Sequence, residues 1–187
     1  MGEFNKQSNE KMKKSDIMVM PEYFERYIGL VEDIELSDAF KKSVNELDAL
    51  DFARIKRLGD AVYAPGKWSV KDIFQHLIDT ERIFGYRALR FARKDDTPLP
   101  GFDDNEYAVC ASATRRGLDS IIDELKAVRI SNACMFGSFN HEMLQCVGIC
   151  WNKQISVLAM GFNMIGHQLH HLKVIEKMYL PLLGNKT

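Results

Sequence analysis

The chain has 187 residues, with 25 basic and 26 acidic side chains and a formal net charge of −1. This length suits one domain that buries a core without disulfides, and a composition of 46% apolar and 27% charged residues excludes a disordered chain. The balanced charge provides no basic patch for nucleic acid or for an anionic membrane, so we expect a small-molecule ligand.

The N-terminal part of the chain is polar and basic. We expect residues 1–20 to form a flexible tail and residues 21–187 to form a single helical-bundle domain. The apolar run at 17–20 is too short for a signal-peptide core, and no run reaches transmembrane length. We therefore expect a cytoplasmic protein that does not contact membranes, with four reduced and mostly packed cysteines: Cys110, Cys134, Cys146 and Cys150.

Apolar residues recur with the helical period, and no strand with an alternating pattern is found. After a short apolar piece at 23–31, we predict a first long helix over 36–59, with Ser37 as its N-cap. The second helix is predicted to begin after Ser69 and to end near Arg93. Asp72, three residues after Ser69, is typical of a capping box.

A long loop is expected at 94–108, where two prolines and a glycine occur, and a third helix at 114–136. The segment 137–153 is ambiguous, with a helical start and a turn by Gly148. The fourth helix is predicted from about Asn152 to Tyr179. Four long helices with short or moderate links indicate an all-α fold, a four-helix bundle.

Three of the five histidines lie close together in the fourth helix. His167 and His171, four residues apart, share one helix face, where two imidazoles can bind one cation. His170 is rotated away and is the weakest candidate of the three. Histidines on an apolar face are more often satisfied core residues than ligands, so the pair alone is weak evidence for a metal.

The fourth helix carries two apolar stripes, and a helix that is apolar on both sides is buried on both sides. We expect the stripe with the histidines to face the bundle interior and the other to face a second chain or a covering segment. The first stripe is Val157, Met160, Met164, Val174 and Met178, and the second is Leu158, Phe162, Ile165, Leu169 and Leu172.

His76 lies at the edge of an apolar stripe in the second helix and could complete a set of three nitrogens. Such a set leaves coordination positions for water and substrate, as a catalytic metal site requires. We assign no residues to an organic cofactor.

Glu81 and Arg87, also in the second helix, are candidates for catalysis. Glu81 lies within the apolar stripe, where it is either part of an ion pair, a hydrogen-bond partner of a metal-bound histidine, or an acid or base. Arg87, three turns after His76, either holds an anionic substrate group or pairs with a carboxylate of another helix. The acids of the loop could cap the site or simply be solvated: Asp103, Asp104 and Glu106.

Three segments resemble the DinB/YfiT superfamily of metal-dependent enzymes: "GKWSVKDIFQHLIDTERIFGYRALRFAR", "LPGFDDNEYA" and "SVLAMGFNMIGHQLHHLKVIEKMYL". The resemblance extends over residues 36–180. It implies a four-helix bundle with unusual helix order and a divalent metal ion, nickel or zinc, bound by His76, His167 and His171. It also implies a homodimer.

The resemblance implies a metal-dependent enzyme that activates a low-molecular-weight thiol or water. The reaction would be a transfer of the thiol S-transferase kind, or a hydrolysis, of a small-molecule substrate. One alternative is a non-catalytic metal-binding bundle that serves as a stress-response or small-ligand binding module. Another is a plain helical dimer whose histidines belong to the core and bind no metal.

Overall fold

The computed structural model describes residues 11–184, and the bounds of its elements follow here. The chain forms α1 (Glu25–Ile28), α2 (Leu36–Asp48), α3 (Phe52–Lys56), α4 (Val70–Ala92), α5 (Asp104–Ala111), α6 (Leu118–Gly137), α7 (His141–Gln145), β1 (Val147–Cys150), β2 (Lys153–Ser156) and α8 (Val157–Val174). A π-helical turn (Ile175–Tyr179) and a 3₁₀ turn (Leu180–Leu183) follow α8.

The four long helices α2, α4, α6 and α8 form the predicted bundle. Helix α4 packs against α6 and α8, and α2 packs against the same two helices. The short helix α1 lies on α8 from outside the bundle. No helix within residues 11–184 combines the length and apolar character that a membrane crossing needs.

Helix α4 begins where its capping residues predict. The backbone N–H of Asp72 donates to Ser69 Oγ at 3.2 Å, and the backbone N–H of Ser69 donates to the Asp72 carboxylate at 2.9 Å. This capping box satisfies two backbone donors that would otherwise lack partners. The helix ends before Arg93, so both predicted ends are confirmed.

The first predicted helix, over 36–59, is too long. It divides into α2 and α3 at residues 49–51, and Glu35 occupies the N-cap position in place of the predicted Ser37. The division coincides with Asp51, whose carboxylate accepts a hydrogen bond from the backbone N–H of Arg54 at 3.0 Å. An aspartate that caps a new helix competes with continuation of the preceding one.

The predicted start of the fourth helix at Asn152 is wrong. Residues 147–156 form an antiparallel hairpin instead, with Trp151 and Asn152 at its turn at φ values of 51° and 58°. Ser156 caps α8 by accepting from the backbone N–H of Ala159 at 3.1 Å. Strands of four residues are too short to show a clear alternation, which explains why the pattern missed them.

The loop predicted at 94–108 is shorter than expected. Its second half enters α5, which Asp103 caps by accepting from the backbone N–H groups of Asn105 and Glu106 at 2.8 and 2.9 Å. The third predicted helix begins at Leu118 instead of Thr114, because a separate 3₁₀ turn occupies 113–115.

Residues 12–17 pack against the domain, although the sequence placed them in a flexible tail, whereas residues 18–20 are exposed. Met12 and Ile17 are buried, and the backbone N–H of Leu36 donates to the Met12 carbonyl at 2.9 Å. The flexibility that we predicted for residues 1–10 lies outside the described residues.

The second apolar stripe of α8 is covered by the same chain. Leu158, Phe162 and Ile165 are at most 2% exposed and belong to one core with side chains of α2 and of the segment around α1. The covering-segment alternative is therefore correct, and this stripe no longer argues for a homodimer.

The four cysteines are free, as expected, but only two are packed. Cys150 is buried and Cys146 half-buried, whereas Cys110 and Cys134 are exposed.

Candidate metal centre

Helix α8 holds two imidazoles against each other on one face. The Nε2 atoms of His167 and His171 are 3.0 Å apart. Residues four apart on a helix are stacked one turn from each other, so this contact follows from the spacing. His170 points elsewhere: it is exposed, and its ring meets the edge of Tyr27 at 5.3 Å between centroids.

Helix α4 supplies the third imidazole. The Nε2 atom of His76 lies 3.2 Å from that of His167, although 91 residues separate them in the chain. The two helices run antiparallel, because His76 near the start of α4 meets the end of α8, while Phe91 at the end of α4 lies against Gly148, before α8. The ligand atoms of the three histidines all lie within 4.8 Å of one another.

The distances from His167 Nε2 to the Nε2 atoms of His76 and His171 fit one metal ion. At bond lengths of about 2.0–2.1 Å, two ligand nitrogens about 90–110° apart on one ion are separated by about 2.8–3.4 Å. The observed separations of 3.0 and 3.2 Å fall within this interval. An all-imidazole donor set suits zinc, nickel, copper or iron better than magnesium or calcium.

Burial keeps the three imidazoles in the neutral form that binds cations. It lowers the pKa of His76 to about 4, and it lowers the pKa of His171, with a smaller contribution from His76 and His170, to about 3. Burial is also the main cause that lowers the pKa of His167 well below its ordinary value. Near neutral pH all three therefore carry a free lone pair.

An open pocket of about 610 Å³ adjoins His76 and His167. Aromatic side chains form most of its wall: Tyr23, Phe24, Tyr27, Phe84, Phe102 and Trp151. Four further lining side chains are polar: Thr80, Arg87, Asp104 and Asn163. A second opening, of about 640 Å³, reaches His171 between Trp68 and Tyr179. The histidine cluster is thus reached by two openings, and the first has the aromatic lining with a few polar groups that is typical of small-molecule sites.

Glu81, a candidate catalytic residue, is held away from this pocket. Its carboxylate forms a buried ion pair with Arg129 and accepts a hydrogen bond from Asn132 Nδ2 at 2.7 Å. Glu81 is 2% exposed and does not line the pocket. Its contacts correspond to the ion-pair alternative.

Arg87 lines the pocket and is 5% exposed. Its Nη2 donates to the Pro100 carbonyl at 2.6 Å, and its guanidinium lies 5.1 Å from the centre of the Phe84 ring. Within residues 11–184, no carboxylate comes within ion-pair distance of Arg87. Burial lowers the pKa of this guanidinium.

The loop acids separate into three environments. Asp104 Oδ1 is 3.8 Å from His76 Nδ1, too far for a hydrogen bond but near enough to interact electrostatically. Burial, with a smaller contribution from Asp103, raises the pKa of Asp104. Asp103 caps α5, and Glu106 borders a different surface groove.

Sequence reasoning missed three residues of the site. Asn163 lines the pocket one turn before His167, so helical spacing could have found it. Trp68, just before the cap of α4, packs against His76 at 4.8 Å between ring centroids. Tyr27 of α1 meets the edge of His167 at 5.0 Å, and nothing in the sequence links α1 to this face.

The comparisons with known proteins agree with this fold. A family model described as the DinB superfamily matches residues 25–175, a range that includes all three histidines. YfiT from Bacillus subtilis, described as "a probable metal-dependent hydrolase with an unusual four-helix bundle topology", is similar in structure, with a TM-score of 0.62 and 13% sequence identity over 86% of each chain. No protein of curated function matches. The family match covers most of the chain, which therefore belongs to the DinB superfamily.

Proposed function

We propose that this protein is a metal-dependent enzyme in which His76, His167 and His171 hold one divalent ion, zinc or nickel. The observation that carries the proposal is the meeting of three Nε2 atoms, from two helices, at the wall of a pocket. A divalent ion bound there would supply Lewis-acid chemistry, lowering the pKa of a coordinated water or thiol and polarising a carbonyl.

The chain's own residues position the reactants. The aromatic wall of the pocket excludes bulk water from the apolar part of a substrate and strengthens electrostatic interactions inside. Asp104, the carboxylate nearest to His76, is placed to orient that ring through its Nδ1 proton or to accept a proton from the substrate. Glu81 has neither role, since its carboxylate is committed to Arg129.

Hydrolysis is the first reaction to test. The description of the structurally similar YfiT as a probable metal-dependent hydrolase supports it. Thiol transfer is the second candidate, favoured by the opening on the His171 side. Through that opening a low-molecular-weight thiol could reach the histidines while the substrate occupies the aromatic pocket.

Turnover measurements test this proposal. Protein stripped of metal and reloaded with zinc or nickel is given aryl esters and acyl amides in water, and then small electrophiles with glutathione or bacillithiol. We expect turnover that depends on the metal, disappears in His167→Ala and persists in the control His170→Ala. If loaded protein accelerates none of these reactions above background, the proposal is wrong and the non-catalytic binding module replaces it.

A further inference from the structure

A second layer of buried polar side chains lies beside the histidines. Thr80 follows His76 by one turn of α4, and Asn163 precedes His167 by one turn of α8. Because the two helices are antiparallel, these two side chains lie on the same side of the histidines. Thr80 is 6% exposed and Asn163 is 2% exposed, and both line the aromatic pocket.

Neither side chain has a partner within the described part of the chain. Thr80 Oγ1 and Asn163 Oδ1 are buried without a hydrogen bond. An unpaired buried polar group destabilises the folded state, and valine or leucine would occupy similar space without that cost. A ligand that supplies the missing hydrogen bonds accounts for both residues.

Arg87 adds an unpaired charge to the same pocket. Within residues 11–184 its one hydrogen bond is to the Pro100 carbonyl, which leaves most of its five N–H donors without a partner there. A buried guanidinium without an anion is costly. Among the described residues the pocket has one lining carboxylate, Asp104, and it lies against His76 instead.

We propose that Arg87, Thr80 and Asn163 form a binding subsite for a monocarboxylic acid that carries an amide or ester group. The substrate carboxylate pairs with Arg87, and its uncharged polar group hydrogen-bonds to Thr80 and Asn163 next to the histidines. The aromatic wall packs around the apolar body. This inference rests on the proposed function only in placing the reacting group at the histidine end.

Charge favours a carboxylate over a phosphate ester. The pocket presents one guanidinium, and Asp104 on its wall would repel a second negative charge. A carboxylate matches the fork of one guanidinium with two parallel hydrogen bonds. We therefore expect monoanions to bind better than dianions of the same size.

Calorimetric binding of hippurate, which joins a benzamide to a carboxylate, tests the subsite. The probes are hippurate, its neutral amide and phenyl phosphate, each with metal-free and with zinc-loaded protein. We expect hippurate to bind at least tenfold more tightly than the other two in both forms, and Arg87→Met to remove this preference. Arg90→Met is the matched control, since Arg90 on the same helix pairs with Asp95 outside the pocket. This variant should bind hippurate as tightly as the unmodified protein does.

The outcomes separate this inference from the proposed function. If the protein prefers hippurate but turns over no substrate, the subsite stands and the proposed enzymatic function is wrong. Three results would each overturn the subsite and leave the proposed function in place. They are equal binding of hippurate and its amide, tighter binding of phenyl phosphate than of hippurate, and a preference for hippurate that requires zinc and survives Arg87→Met. If Arg87→Met does not fold, Arg87→Lys replaces it, and a loss of about threefold or more in hippurate affinity is expected because the bidentate contact is lost.

Thr80→Val gives an independent check. The variant removes an unpaired hydroxyl, so the free protein should melt at a higher temperature while hippurate and its amide both bind less tightly. A lower melting temperature with unchanged binding would show that the hydroxyl serves the fold, and Thr80 would leave the subsite.

Discussion

Three neighbouring imidazoles, two of them buried and that of His171 half-buried, are the defining feature at the scale of single residues. His167 Nε2 lies 3.0 Å from His171 Nε2 and 3.2 Å from His76 Nε2. Two facing nitrogens at such a distance need one proton between them, so the neutral rings compete in where they place their protons and lone pairs. A cation would satisfy all three lone pairs at once. His171 Nδ1 is also buried and has no partner among the described residues, so this outer nitrogen can carry the proton.

The histidines make the metal-free protein sensitive to acid. The folded state lowers the pKa of His76 to about 4 and that of His171 to about 3, against an ordinary value of 6.5. Between pH 6.5 and these folded-state pKa values the unfolded chain binds more protons than the folded chain, so the stability that depends on neutral histidines is complete above pH 6.5 and is lost as the pH falls towards 3.

Urea unfolding at a series of pH values, with a chelator present, measures this loss. We expect the free energy of unfolding to decrease below pH 6.5, and His76→Gln to show a shallower decrease than the unmodified chain. Identical pH profiles for the two proteins would contradict the conclusion that His76 contributes to this acid sensitivity.

Glu81 and Arg129 form a buried pair that should stabilise the fold without taking part in chemistry. Glu81→Gln leaves Arg129 buried without its anion, which costs about 3–5 kcal/mol in such pairs. Denaturant unfolding measures the cost. The control is Glu142→Gln, which breaks the exposed pair with Lys94 and should leave the free energy of unfolding almost unchanged. A Glu81→Gln protein that is fully stable but inactive would instead give Glu81 a catalytic role.

Helix α1 is the element that connects the outside of the bundle to the site. It lies so close to α8 that a Cβ atom on Gly166 would stand 2.0 Å from the Tyr27 carbonyl oxygen. Tyr27 in turn packs against His167. Only glycine allows this approach, because backbone atoms cannot move aside as a flexible side chain does.

Gly166→Ala should therefore displace α1. We expect a loss of about 1–3 kcal/mol in stability, typical of overpacking, together with weaker metal binding as the Tyr27 contact shifts. Gly137→Ala in α6 is the matched control: nothing lies within 4 Å of its Cβ position, so it should be neutral or slightly stabilising. Chemical denaturation compares the two, and equal stabilities would refute the close approach.

Elements with a strong local signal, such as a capping box or a clear helical period, were predictable from the sequence. Elements that depend on which of two local conformations is more stable were not. The capping box fixed the start of α4, and the 3.6-residue period identified α8. The division between α2 and α3 depends on Asp51 favouring a new helix start over continuation. The hairpin at 147–156 depends on a turn at Trp151 and Asn152 that a helical interpretation of the segment obscured.

At the scale of the whole molecule, the site exists because two helices distant in the chain cross at one level. Spacing predicted the His167–His171 pair, and the place of His76 at the edge of an apolar stripe made it the third candidate, which the family resemblance also implied, but periodicity could not show that α4 and α8 meet. Tyr27, which reaches the site through the packing of α1 on α8, followed only from the arrangement of the helices. The second stripe of α8 shows the same limit, since a sequence pattern does not distinguish a covering segment from a second chain.

A metal ion would join α4 to α8 and should stabilise the fold, by about 2.7 kcal/mol at a free concentration one hundred times its dissociation constant. The proposed site requires all three histidines to bind this one ion. Elemental analysis by mass spectrometry, on protein purified without a polyhistidine tag, measures whether they do. We predict about one zinc or nickel ion per chain in the unmodified protein and in His170→Ala, and almost none in His171→Ala or His76→Ala. Full metal content in either of the last two folded variants, or no metal in the unmodified chain after exposure to both ions, would contradict the claim.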